Sequence, residues 1–312
     1  MRLTQPPRPL PLTNPSLVTR LAIAPDGTDV VVGQWATDDG HPALSRWSLP
    51  SGVPLLGPGP CPLADGGDTC QVLVRAGNGT LAVAGITRKR LFLRDGTTGR
   101  WTEPVDGEVV WASVTGPLLA TGGERARILD LGTGRTLWEQ DPPGSRDPVL
   151  SLLSPLTAIH PDRAAFAVGG SGEPTVRVHP LPAGTPPTVL DGAPERLHWL
   201  GYGPTGEYLL ALDAHERSAV LWRTGRNEPH CPDTFGAGSG GTLSAAFHPD
   251  GEHCVLGTFS GYLLVLRLGD GVLLDARQCH RSRIKSLAFT PDGTLLLSGG
   301  DDGAALVHRV EP

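Results

Sequence analysis

Residues 284–310 read IKSLAFTPDG, TLLLSGGDDG, AALVHRV: three short apolar or alternating runs separated by two Asp-Gly turns. In the first run Ile284, Leu287 and Phe289 point one way. Pro291-Asp292-Gly293 reverses the chain, Leu295 to Leu297 runs back, Asp301-Asp302-Gly303 reverses it again, and Leu306 to Val310 forms the third run. Asp-Gly between apolar runs is a strong hairpin signal, because both residues tolerate the positive φ of tight primed turns. The stretch is therefore a three-strand meander.

The pattern recurs six times upstream. It begins at VTRLAIAPDG (18–27), QVLVRAGNG (71–79), VVWASVTG (109–116), LTAIHPD (156–162), RLHWLGYGPTG (196–206) and TLSAAFHPDG (242–251). The turn residues Gly27, Gly79, Gly116, Asp162, Gly206, Gly251 and Gly293 take the same role in each unit. Self-similar units at a fixed period mean radial or linear repetition. Strands buried between two neighbours are apolar on both sides, as the Val, Leu and Ala content here requires. Most units add an outer strand after a glycine turn, at 53–57, 100–105, 135–140, 188–192 and 272–277. No segment sustains a 3.6-residue apolar period, so no long helix is expected. The units lie at about 15–57, 69–105, 108–140, 149–192, 195–240, 241–278 and 279–312, within a single domain of 312 residues.

The last unit lacks an outer strand, and residues 1–14 lie outside the first unit. Arg8 to Leu12 are expected to supply that strand and join the two ends of the chain. Prolines at 6, 7, 9 and 11 suit an edge strand, where half the N–H groups face solvent. The fold expected is all-β: seven four-stranded antiparallel blades in a propeller, the ring closed by the N-terminal segment pairing with the last blade.

At this point the chain resembles the WD40 repeat family. His280, Ile284, SLAFTPDG, LLLSGGDDG and the third strand match the family's His before the first strand, PDG turn and Asp-rich turn before the third strand. AAFHPDGEHCVLGTFSGYLLVL repeats the pattern, and Trp47 and Trp222 stand where the family often has its third-strand Trp. No third strand ends in Trp-Asp: blade seven has His308-Arg309 instead. His280, Ser298 and Asp302 are a remnant of the family's side-chain network and are read as hydrogen bonding inside the blade. A Ser in a buried second strand is not an exposed nucleophile, and no GxSxG elbow exists. Kelch propellers are the runner-up, from the doublets Gly122-Gly123, Gly169-Gly170 and Gly299-Gly300.

Composition narrows function. A net charge of −6 without interleaved aromatic and basic residues argues against nucleic acid. No run of some 18 apolar residues suggests a membrane span, and the proline-broken N-terminus has no signal-peptide core. Five widely spaced cysteines without a CxxC pair read as reduced thiols, hence a cytoplasmic protein. The Ala, Gly, Pro and Arg bias is that of a GC-rich bacterial genome. Scattered histidines and turn acids give no metal pattern, no phosphate-binding Gly-rich loop precedes a helix, and no cofactor is expected.

Charge points to one face. In a propeller, the loops entering the first strands and those between the second and third strands share a face. Arg88, Arg90, Arg196, Arg283 and Lys285 fall there among mixed acids. Mixed charge favours specific protein contacts. The resemblance implies a non-catalytic platform for another protein or peptide, monomeric by itself. The residues expected to carry contact are Arg88, Arg90, Arg196, His198, Thr242, Ser244, Arg283 and Lys285, the strand-start members standing exposed. Trp111 and Trp199 are read as core. Two alternatives remain: a propeller hydrolase or lactonase at the central channel, and a structural subunit using loops 55–68 and 226–240. The small inner residues Ala22, Ala112, Ala245, Ala246 and Ala288 count against the enzyme.

Overall fold

The computed structural model describes every residue except 5, 13–15, 36–43, 58–61, 64–67, 88, 104–105, 142–154, 171–172, 183, 195–196, 214–218, 231–240 and 312. All its elements are strands, and the hairpin turns read from the sequence are where they form. Blade one is Val18–Ile23, Asp29–Gln34, Leu44–Ser48 and Pro54–Leu55, antiparallel and in that spatial order. Blade two is Cys70–Arg75, Leu81–Gly85, Leu91–Arg94 and Trp101–Thr102. Blades three and four begin with Val109–Thr115 and Leu156–Ile159 and end with Thr136–Gln140 and Thr188–Asp191. Blade six runs from Thr242–Phe247 to Leu273–Gln278. In blade five the described residues hold three strands, Leu197–Tyr202, Tyr208–Asp213 and Ala219–Arg223. A bridge from Trp222 to Pro229 stands at the place of the fourth.

Blade seven comprises Ile284–Phe289, Leu295–Gly300 and Ala305–Glu311. Its outer edge is supplied from the other end of the chain. Arg8 and Pro9 pair with Val307 and Leu306, and Arg2 and Leu3 pair with Glu311 and Val310. The first strands of successive blades pack on one another, and that of blade seven packs on that of blade one. The seven blades therefore form a closed ring with their first strands around the axis. Leu3 and Leu10 are buried by this closure, Leu10 beside Val307, Ala305 and Trp47.

Burial follows position in the blade. The second strands of blades one, two, three, five and seven are buried along their whole length, because neighbouring blades cover both faces. The outer strands are largely exposed. The doublet Gly299-Gly300 is explained by close approach. A methyl group on Gly299 would collide with Val18 of blade one, and one on Gly300 with His280 and the Arg283 carbonyl. One expectation is corrected in blade four. The residue that takes the left-handed turn conformation there is Arg163 (φ 63°), not Asp162. Asp162 instead accepts hydrogen bonds from the Ala164 amide at 2.7 Å and His160 at 2.6 Å. The other turn acids likewise bind their own turns, as Asp292 does with the Thr294 amide at 3.0 Å.

Candidate functional site at the mouth of the central channel

Six of the seven first strands open with a register shift. The breaks lie between Val18 and Arg20, Cys70 and Val72, Val109 and Trp111, Leu197 and Trp199, Thr242 and Ser244, and Ile284 and Ser286. An extra residue at such a bulge bends the strand and re-aims its side chains. The residues at and beside these bulges converge on the axis and wall a cavity of about 380 Å³ to which all seven blades contribute. Lys285, Ser286, Arg20 and Gln71, from blades seven, one and two, form one side. Blades three to five bring Trp111, Leu156, Leu197 and Trp199 to the other, with the Trp111 and Trp199 rings edge to face at 6.3 Å. The mouth thus has a basic wall and an aromatic wall.

The residues expected to make contact divide three ways. His198, Ser244 and Lys285 line the cavity. Arg90 and Arg283 are exposed on the rim, where Arg90 pairs with Glu103 at 3.0 Å and Arg283 with Asp301 at 2.5 Å. Thr242 is 0% and Ser244 2% exposed, which corrects the expectation that the strand starts stand free. The physical reason is stitching between blades. The Ser244 hydroxyl donates to the Ile284 carbonyl at 2.9 Å, and the Leu21 amide donates to Ser286 Oγ at 3.0 Å. His198 Nε2 likewise donates to the Leu243 carbonyl at 2.7 Å. Burial depresses the pKa of His198 more than that bond and Asp213 restore it, so the ring is neutral at pH 7. Arg88 and Arg196 lie outside the described residues. Trp111 and Trp199 are half-buried in the cavity wall rather than core, with the Trp111 indole N–H donating to the Thr157 carbonyl at 2.9 Å.

Arg20 is the residue that sequence reasoning missed. It follows the bulge of blade one, in the place that Ser244 and Ser286 hold in blades six and seven. Aligning RLA at 20–22 with SAA at 244–246 and SLA at 286–288 exposes the substitution. Its Nη1 donates to the Thr19 carbonyl at 2.8 Å. Of the alanines that argued for an apolar channel, Ala112 and Ala245 line this cavity, while Ala22 and Ala246 pack in buried clusters.

Beside the mouth, blade seven contains a buried polar chain. His280 Nδ1 lies 2.9 Å from Asp302, His280 Nε2 2.8 Å from Ser298 Oγ, and Ser298 Oγ 2.8 Å from His308 Nε2. Ser298 is 0%, His308 1% and His280 2% exposed, so the serine and both imidazoles are closed to a substrate. His308 was not anticipated. It occupies the third-strand position where Trp was sought, and its ring N–H can serve as an indole N–H would. Burial raises the Asp302 carboxyl, but bonds from His280 and the Arg281 amide outweigh it and hold the group below its usual range. Burial, with a smaller push from His280, lowers His308 to about 4. No group of three or more His, Cys, Asp or Glu side chains suited to a metal converges among the described residues. Cys70, Cys254 and Cys279 are in no disulfide, and burial pushes Cys254 up to about 12.

A family model described as WD domain, G-beta repeat, matches residues 271–308, which span the outer strand of blade six and most of blade seven. WD repeat-containing protein VIP3 of Arabidopsis thaliana is 26% identical over 154 residues, covering 46% of this chain and 48% of that protein. The match therefore spans about half of the relative's length. The closed ring of seven antiparallel blades makes the chain a β-propeller, its last blade matches a WD repeat, and over about half its length it is similar to a WD repeat protein.

Proposed function

We propose that this propeller is a non-catalytic platform that holds a protein or peptide across the face where the first strands begin. Propellers of this family serve in general as protein-interaction scaffolds and are typically not catalysts. The observation that carries the assignment of the face is the cavity at the channel mouth. It is built by all seven blades, large enough for a few side chains, and walled in part by Trp and Arg, residue types enriched at interface hot spots. The exposed rim around it carries paired charges, Lys89 with Glu108 at 3.0 Å and Arg125 with Glu139 at 2.5 Å, which favour register over raw affinity. The setting proposed is cytoplasmic, in keeping with Cys70, Cys254 and Cys279 being in no disulfide.

The test compares three proteins in affinity capture from native extract: wild type, Arg283→Glu/Lys285→Glu, and Glu252→Lys on the exposed turn of the opposite face. The expected outcome is a bound protein that the channel-face reversal loses and the opposite-face reversal keeps. A protein held equally by all three variants would sink the choice of face.

A further inference from the structure

Charge pairing separates two kinds of base on this face. Four rim bases have a carboxylate partner: Lys89 with Glu108, Arg90 with Glu103, Arg125 with Glu139, and Arg283 with Asp301. Arg20 and Lys285, aimed into the cavity, have none within ion-pair distance among the described residues, and the cavity wall contains no Asp or Glu. They are also neighbours. The Leu21 amide bonds to Ser286 Oγ at 3.0 Å, which pins the residues just after each of them together across the blade seven to blade one junction. Two half-buried cations side by side, with water partly excluded and no ion-pair partner, are a costly arrangement that an incoming anion relieves. Their environment bears this out: burial lowers the pKa of both, and Arg20 and Arg283 lower that of Lys285 further against the pull of Asp301.

The opposite wall sets the rest of the ligand. Trp111 and Trp199 present half-buried indole faces next to Leu156 and Leu197. A free inorganic anion would use one wall and leave the other wet. We infer that the channel mouth receives an extended acidic segment of a partner protein, which places an Asp or Glu carboxylate between Arg20 and Lys285 and a neighbouring apolar side chain against Trp111 and Trp199. This rests on the platform reading and adds the chemistry of what the platform holds. Charge complementarity selects the carboxylate, and the volume of about 380 Å³ limits the insert to a few side chains rather than a folded element.

The test is selection of random short peptides, displayed on phage, against the full chain and against Arg20→Gln/Lys285→Gln. Wild type is expected to enrich peptides with Asp or Glu at one fixed position and an apolar or aromatic residue beside it. The double variant is expected to lose that preference. For a selected peptide, changing its acid to the amide should weaken binding by about tenfold or more, a comparison that needs no protein variant. The double variant should unfold no more easily than wild type, because it removes two like charges facing each other. Selected peptides without a fixed acid, or acidic peptides bound equally by the double variant, would overturn the inference and leave the platform intact. Failure of both proteins to enrich any peptide would count against the platform on this face, and the inference with it. Sodium glutarate that displaces the selected peptide at the peptide's own concentration would show that the mouth takes free carboxylates, and would overturn the peptide assignment.

Discussion

Inside blade seven the hydroxyl of Ser298 has one proton and two imidazoles to satisfy. A carboxylate only accepts, so His280 Nδ1–H donates to Asp302. Ser298 can give its proton to only one of the two rings, and where it donates to His280 Nε2 it accepts from His308 Nε2–H. The depressed pKa of His308 has a direction in stability. Between about pH 6.5 and about 4 the unfolded chain binds a proton at this residue that the folded chain refuses, so stability falls as pH falls through that window. The loss is on the order of 3 kcal/mol. His308→Gln keeps a donor to Ser298 without titrating, and should flatten the pH dependence of urea unfolding across that window. Parallel curves for the two proteins would refute the assignment. Asp302, held below its usual range, adds a loss at lower pH that the variant keeps. Asp29 makes a second prediction. It receives Arg46 at 2.6 Å within blade one and Arg75 at 2.6 Å from blade two, and is itself 2% exposed. Asp29→Asn leaves two guanidinium groups without their acid and should cost about 3 kcal/mol in denaturant unfolding. A cost below about 1 kcal/mol, the range of a surface pair, would contradict the buried geometry.

At the scale of the element, the turns were legible because Asp, Asn and Gly leave a local chemical mark, and the second strands because burial on both faces leaves an unbroken apolar run. The bulges were not. In a strand of period two, Ile284 faces away from Leu287 and Phe289, yet all three pack in one cluster. The extra residue at Lys285 restores the parity. That odd spacing was visible in the sequence, but its effect on which residues reach the axis was not, since it depends on packing between blades. A regular strand would leave Thr242 and Ser244 exposed and gives no reason to single out Arg20. The closing strand was legible by elimination, one unit lacking an outer strand and one segment lacking a home. Its test is Leu10→Ala, which removes a side chain 5% exposed in the blade seven to blade one cluster. The expected loss is about 2–4 kcal/mol, against a smaller one for the partly buried Leu12→Ala. Equal, small effects would mean that the N-terminal segment is not held in the ring.

For the whole molecule, architecture was the readable part and ligand chemistry the hidden part. Repetition is recorded seven times over, whereas the channel mouth is assembled from one or two residues per blade that are far apart in sequence. Only when the ring is closed do Arg20 and Lys285 become neighbours. The same closure orders events in time. Of the strands in the ring, the segment that pairs with Val307 and Val310 is made before all the others, and its partner after them. At usual rates of synthesis it waits roughly 15–60 s with Leu3 and Leu10 bare. Through that interval it must avoid docking on other open blade edges as they emerge. Pro6, Pro7, Pro9 and Pro11 remove four of its N–H donors and restrict its pairing, so that it makes a poor strand for any edge but the one that buries both leucines.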